Sequence, residues 1–239
     1  MNAQAVRSEA AEGGRGRGRR LWRWLRIAIR VVIILILIPV VLVPVYTVVP
    51  PISTLMIYSR LFGPVERQWV PFDDIPQVLV ASVIMSEDAR FCTHDGVDWE
   101  ELHKVMDQPE GPNRGASTVT MQTVKNLFLW NARSYVRKGL EIPLALYANL
   151  VWSKRRTMEI YLNIVEWGPG IFGVEAAAQK YFKRPAKSLT GGEAGLLVAA
   201  LPNPITRNPG RPSRMVRARA QEIASRARAA GPYVDCLYP

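Results

Sequence analysis

The chain has little of what would build a metal centre or a disulfide framework. Its 239 residues include only two histidines, His94 and His103, and two cysteines, Cys92 and Cys236. No C-x-x-C or H-E-x-x-H spacing occurs, so the familiar structural and catalytic zinc patterns are excluded. The cysteines could pair in an oxidising compartment. One lies in an acidic cluster and the other close to the C-terminus, which weighs against a disulfide. There is no internal repeat and no sustained apolar–polar alternation, so the expectation is one mainly helical domain of medium size with appendages.

Acidic charge is scarce where basic charge is dense. The first thirty residues hold eight arginines (7, 15, 17, 19, 20, 23, 26 and 30) against Glu9 and Glu12, which supplies six of the net +11. The "GGRGRGRR" run is too polar and Gly-rich to pack, and Met1 to about Arg20 reads as an unstructured arm. Charge then vanishes between Arg30 and Arg60 through "VVIILILIPVVLVPVYTVVPP". As a helix those 21 residues would span roughly 31 Å, close to the hydrocarbon thickness of a bilayer. A signal peptide would have a shorter apolar core and a small-residue cleavage site. The Arg-rich flank, with Trp22 and Trp24 at the expected interface, places the N-terminus in the cytoplasm and the remainder outside. Basic charge concentrated in such an arm is topogenic and lipid-facing, which argues against nucleic-acid binding by the folded domain.

Beyond the apolar run, Ile75, Val78, Leu79, Ser82 and Val83 recur at helical spacing and predict a helix that delivers Glu87 near its C-terminal end. There the negative pole of the helix disfavours the anion, which suits a group that takes up a proton. Glu87, Asp88, His94, Asp95 and Asp98 follow as a cluster running into a loop. "MDQPEGPNRGAST" reads as a loop, after which Ser117 or Thr118 caps a helix carrying Met121, Val124, Leu127 and Phe128. With Arg114 just before it, that N-terminus is a candidate anion site. A helix over "VRKGLEIPLALYANLVW" is expected to bury Leu140, Leu144, Tyr147 and Leu150/Val151. Ser153 caps the next, which points Met158, Tyr161 and Leu162 inward. "WGPGIFG" is a bend before "VEAAAQKYF". Thr190 and Glu193 form a capping box ahead of "AGLLVAALP", which Pro202 stops. The Arg-rich "RMVRARAQEIASRARAAG" reads as a solvated helix in reach of anionic headgroups.

Five blocks in order, "EDARFCTHDGVD", "GASTVTMQTVKN", "RKGLE", "KRRTMEIYLN" and "WGPGIFGVEAAAQKYF", resemble the peptidoglycan glycosyltransferase family (glycosyltransferase family 51) in its single-domain membrane form. The resemblance covers about residues 70 to 209. Met121 stands where the family usually has Gln, and Trp167 where Tyr is common. The implied organisation is a cytoplasmic basic arm (1–26), a transmembrane helix (27–50), a juxtamembrane segment (51–72), a glycosyltransferase domain (73–210) and an Arg-rich tail (211–239). The implied fold is lysozyme-like, largely α-helical and two-lobed. Apolar residues such as Leu55, Met56, Ile57, Leu61 and Phe62 would either carry the base of the domain into the outer leaflet or form ordinary core.

The implied chemistry is polymerisation of lipid II on a lipid-linked glycan chain: a β-1,4 bond forms with inversion at MurNAc C1 and undecaprenyl diphosphate leaves. A sugar hydroxyl needs an aligned general base, and Glu87 is the candidate. Glu141 is the family's second carboxylate. A departing diphosphate needs fixed cations and donors; by resemblance these are Lys125, Arg137 and Lys138, with Ser117, Thr118, Gln122 and Asn126 binding phosphate or sugar and Lys154 a weaker candidate. Asp88, Phe91 and His94 shape the first loop or contact substrate, whereas Glu159, Tyr161 and Asn163 are expected to be architectural. No cofactor is required, although Mg2+ or Mn2+ could share the diphosphate load. Implied partners are lipid II, the membrane and other cell-wall synthesis or division proteins. The implied location is a bacterial inner membrane with the domain in the periplasm. A lytic glycosidase would also use one Glu, but it has no diphosphate to stabilise and no use for the basic set.

Overall fold

The computed structural model describes residues 3–107, 117–132 and 134–238, with backbone alone over 3–19 and at 21 and 106. Two units are distinct, Met1–Pro44 and Val45–Pro239. The first belongs to helix α1 (Ala3–Val45), whose Trp22–Val45 portion is long and apolar enough to cross a membrane. That portion is displaced toward the N-terminus from the expected 27–50, because the chain turns out of helix after Val45, ahead of Pro50 and Pro51. The arm expected to lack structure has a helical backbone from Ala3. A helix satisfies its own backbone without a packed core, and Ala, Arg and Glu are good helix formers.

The second unit is a helical domain. In chain order it holds α2 (Thr54–Arg60), β1 (Glu66–Arg67), α3 (Gln77–Glu87), α4 (Trp99–Met106), α5 (Val119–Phe128), α6 (Tyr135–Val151) and α7 (Lys154–Ile164). There follow β2 (Glu166–Gly168), β3 (Ile171–Phe172), α8 (Val174–Phe182), α9 (Gly191–Ala200), α10 (Arg214–Arg228) and α11 (Gly231–Val234). One group of helices packs α3, α9 and α10 together, and another packs α5 against α6 and α7. The expected caps are in place: Thr118, Ser153 and Thr190 each accept a backbone N–H of the first turn, and Thr190 with Glu193 closes a capping box. Met158, Tyr161 and Leu162 are fully buried.

The short strands form one sheet in the order β1-β3-β2, with β1 parallel and β2 antiparallel to β3. Strands of two or three residues leave no alternation to detect in sequence. The β2–β3 bend requires Gly170, with φ +71° and Pro64 O only 2.6 Å from where a Cβ would lie.

Three expectations are corrected. On α6 the buried face is Glu141, Ala145 and Ala148, while Leu140 is exposed and Leu150 is 84% exposed. Small alanines let helices approach closely, so the bulky stripe is left at the margin, with Leu144, Tyr147 and Val151 half-buried and Leu140 and Leu150 outermost. The Arg-rich tail is not a solvated appendage: Val216, Ala220, Ile223 and Ala227 of α10 belong to the same core as Leu79, Val83 and Leu197. A boundary at 210 therefore falls within packed structure. Thirdly, Cys92 and Cys236 form a disulfide. The fold returns the C-terminus to the loop after α3, a proximity that their separation in sequence conceals. Between α1 and α3, Met56 is core, whereas Ile57, Leu61 and Phe62 are exposed.

Candidate functional site

Glu87 closes α3 and its carboxylate is half-buried beside α5. It accepts hydrogen bonds from Ser86 Oγ and from Gln122 Nε2, each at 3.2 Å. Gln122 in turn accepts the Tyr161 hydroxyl through Oε1 at 3.2 Å. Glu87, Ser117 and Arg90 line a cavity of about 640 Å³ that Arg207, Arg219 and Arg226 also line.

The next residue, Asp88, turns inward. Its carboxylate receives the backbone N–H of Val119 at 2.8 Å and lies 2.9 and 3.0 Å from His94 Nε2. His94 Nδ1 accepts the Gly96 N–H at 3.2 Å, which fixes the tautomer: the proton is on Nε2 and is donated to Asp88. Thr118 links the same parts, donating to Gly96 O at 2.6 Å while capping α5. Lys154 donates to His94 O and stands over the Phe91 ring at 4.9 Å. Phe91 itself is fully buried. Asp88, Phe91, His94, Thr118 and Lys154 thus tie the loop after Glu87 to α5 and α7, and of these Asp88 and Thr118 also line the cavity.

A cationic group occupies the adjoining side. Glu141, only 1% exposed, is ion-paired with Arg137 one helical turn earlier and lies 3.4 Å from Lys138 Nζ. Lys138 donates to Ser117 Oγ at 2.7 Å, which brings this group to the cavity that holds Glu87. Burial first, then Arg137 and Lys125, lowers the Lys138 ammonium to about 8. Burial and Arg137 also lower Lys125, partly countered by Glu87. Among the described residues, three neighbouring cations share one buried carboxylate, Glu141, with Glu87 acting on Lys125 in addition, so an added anion would be stabilised there.

Asn126 is buried on α5, its backbone carbonyl accepting the Thr54 hydroxyl at 3.2 Å. Arg114 lies outside the described residues. Met121, at the position where Gln was the expected type, is fully buried and leaves Gln122 as the amide facing Glu87. Asn163 is bonded in both directions to the Val70 backbone, at 2.8 Å each. Glu159 pairs with Arg156 at 3.0 Å. Among the described residues no group of three or more His, Cys, Asp or Glu could hold a metal.

Sequence reasoning missed the contact of Tyr161 with Gln122 and the arginines Arg207, Arg219 and Arg226 that line the cavity. The spacing of Val216, Ala220, Ile223 and Ala227 carried a signal for the second, since one apolar face at helical period marks a packed helix that turns its arginines outward.

The transglycosylase family model matches residues 56–228. The protein named biosynthetic peptidoglycan transglycosylase in Brucella suis biovar 1 is 58% identical over 205 residues, covering 83% of this chain and 91% of its own length. The protein of the same name in Agrobacterium fabrum is 53% identical over 204 residues, covering 83% and 90%. That of Rhizobium leguminosarum bv. trifolii is 54% identical over 191 residues, covering 79% and 82%.

Proposed function

Because the chain belongs to the transglycosylase family and is a peptidoglycan glycosyltransferase of cell-wall synthesis, we propose that it polymerises lipid II, with a lipid-linked glycan chain as donor. Glu87 takes the proton of the acceptor GlcNAc 4-hydroxyl. The oxygen attacks MurNAc C1 from the face opposite the leaving group, so the β-1,4 bond forms with inversion. The C1–O bond breaks and its electron pair departs with undecaprenyl diphosphate. Lys125, Arg137 and Lys138 stabilise that charge, and Glu141 holds Arg137 and Lys138 in place.

The observation that carries this reading is the junction at Ser117. Glu87, held by Gln122, and Ser117, which accepts Lys138 of the cationic group, line one cavity, and glycosyl transfer from a diphosphate needs both a base and fixed cations. A hydrolase would need only the first. Any Mg2+ or Mn2+ at the diphosphate would add to the fixed charge of these three side chains.

The residues around Trp22–Val45 support a single pass through the inner membrane with the domain in the periplasm. Arginines crowd its N-terminal side as far as Arg30, and no Lys or Arg follows until Arg60. The Cys92–Cys236 disulfide independently favours an oxidising compartment. Exposed Ile57, Leu61 and Phe62 suit contact with the outer leaflet, where both substrates are anchored. Tethering would confine enzyme and substrates to one surface and raise their effective concentration.

The test is incubation of the purified protein with labelled lipid II beside Glu87→Gln. Polymer from the wild type and a loss of at least about 10²-fold in the variant is expected. Lipid II binding without polymer in either would favour a membrane-anchored scaffold.

A further inference from the structure

We propose that Tyr161 is a positioning residue for Glu87, acting through Gln122 without touching substrate. The proposal rests on the reading of Glu87 as the general base. A Gln side chain can be turned by half a rotation, exchanging its donor NH2 for its acceptor oxygen, at almost no steric cost. Facing Glu87, only one orientation works: Nε2 donates to the carboxylate, whereas Oε1 would oppose one oxygen with another.

What selects the orientation lies behind Gln122. Tyr161 is fully buried on α7, and its hydroxyl stands 3.2 Å from Gln122 Oε1. Burial, with the negative charges of Glu87 and Asp88, holds this phenol far above its ordinary range. It therefore keeps the proton it donates to Oε1, which leaves Nε2 for Glu87 at 3.2 Å; the turned amide would take that acceptor away from the buried hydroxyl proton as well as oppose Oε1 to the carboxylate. Tyr161, Gln122 and Glu87 come from α7, α5 and α3, and the chain of bonds ties the carboxylate to two packed helices at once. A base that must meet a hydroxyl in line benefits from such restraint, since small misplacements at a reacting centre cost rate. The structural explanation, that Tyr161 only fills the core, requires its ring but not its hydroxyl.

Tyr161→Phe keeps the ring and removes the donor. Steady-state polymerisation of lipid II, thermal unfolding, and the side-chain amide NMR signals of 15N-labelled Gln122 are measured for the wild type, Tyr161→Phe, Gln122→Ala and the double variant. The expected result is a kcat for Tyr161→Phe about 10-fold lower, with KM and unfolding temperature little changed. Gln122→Ala shows a similar or larger loss, and the double variant is no slower than Gln122→Ala alone, as residues acting as one unit behave. The two Gln122 amide protons, distinct and protected from exchange in the wild type, lose that protection in Tyr161→Phe. An unchanged kcat, losses that multiply in the double variant, or a kcat that falls only in step with stability would overturn the proposal. If the wild type makes no polymer, the lipid II reading fails, and the Gln122 signals alone decide the relay: signals identical in wild type and Tyr161→Phe sink it.

Discussion

Cys92 and Cys236 stand 144 positions apart in the chain and are joined by a disulfide, with their Cα atoms 5.7 Å apart. The bond fastens the end of the chain to the loop that follows Glu87. Cross-linking so long a segment removes much of the freedom of the unfolded chain. Replacing both cysteines with Ala is expected to lower stability by about 2–5 kcal/mol, seen as an earlier denaturant midpoint. Treating the wild type with a reductant should reproduce the shift and leave the double variant unaffected. A reductant that moves both equally would show that the bond contributes nothing.

Gly96 is the hinge on which the loop meets α6. Its φ is +87°, and an added Cβ would lie 2.7 Å from Ala145 O and 2.9 Å from Asn149 Cβ. Its carbonyl accepts from Thr118 and its N–H donates to His94. Gly96→Ala therefore combines an unfavourable backbone conformation with overpacking, for an expected cost of about 2–4 kcal/mol. Calorimetry would register this, and the polymerisation rate should fall further than at Gly63, where nothing lies within 4 Å and Ala should be tolerated.

Several helices and their starts were legible in the sequence because caps and apolar stripes are local signals, whereas the short α2 and α4, capped by Ser53 and Asp98, were not read. Thr118, Ser153 and Thr190 each mark a first turn that the structure reproduces. What could not be read depended on partners distant in the chain. On α6 the face carrying Ala145 and Ala148 is less hydrophobic than the face carrying Leu140 and Leu150, and only the neighbouring helices reveal that closeness of approach decides which is buried. The ordered blocks brought Glu87, Gln122 and Lys138 forward as candidates. Their junction through Ser117 and Tyr161 is a matter of side chains meeting between helices.

Deleting residues 211–239 tests the correction to the domain boundary. Ile223 of α10 is fully buried, and an added Cβ at Gly195 of α9 would meet the backbone Ala220 O at 2.5 Å, so α9 and α10 approach backbone to backbone there. Truncation would expose the apolar faces of α3 and α9 together. The expected product is aggregated or protease-sensitive. Soluble, cooperatively unfolding protein ending near residue 210 would show instead that the tail is an appendage.

The Lys138 ammonium is lowered to about 8 from an ordinary 10.5, by burial first and then by Arg137 and Lys125. Below about pH 8 the side chain is charged in both folded and unfolded chains, and its contribution to stability is constant. Between 8 and 10.5 the unfolded chain holds one more proton than the folded one, so this group's contribution to stability rises with pH. Binding runs the other way, because the cation that would meet the diphosphate is lost over the same range. The pH dependence of kcat/KM reports groups of the free enzyme, so it should fall above about pH 8 by up to about tenfold per pH unit. The fall in kcat should come later, since a bound diphosphate holds the proton on Lys138. Lys138→Arg keeps the charge at every accessible pH and should flatten the alkaline limb, even if the altered reach lowers the plateau. A limb that stays near pH 8 in Lys138→Arg would assign that proton to another group, with Lys125, lowered by burial and Arg137, the next to test.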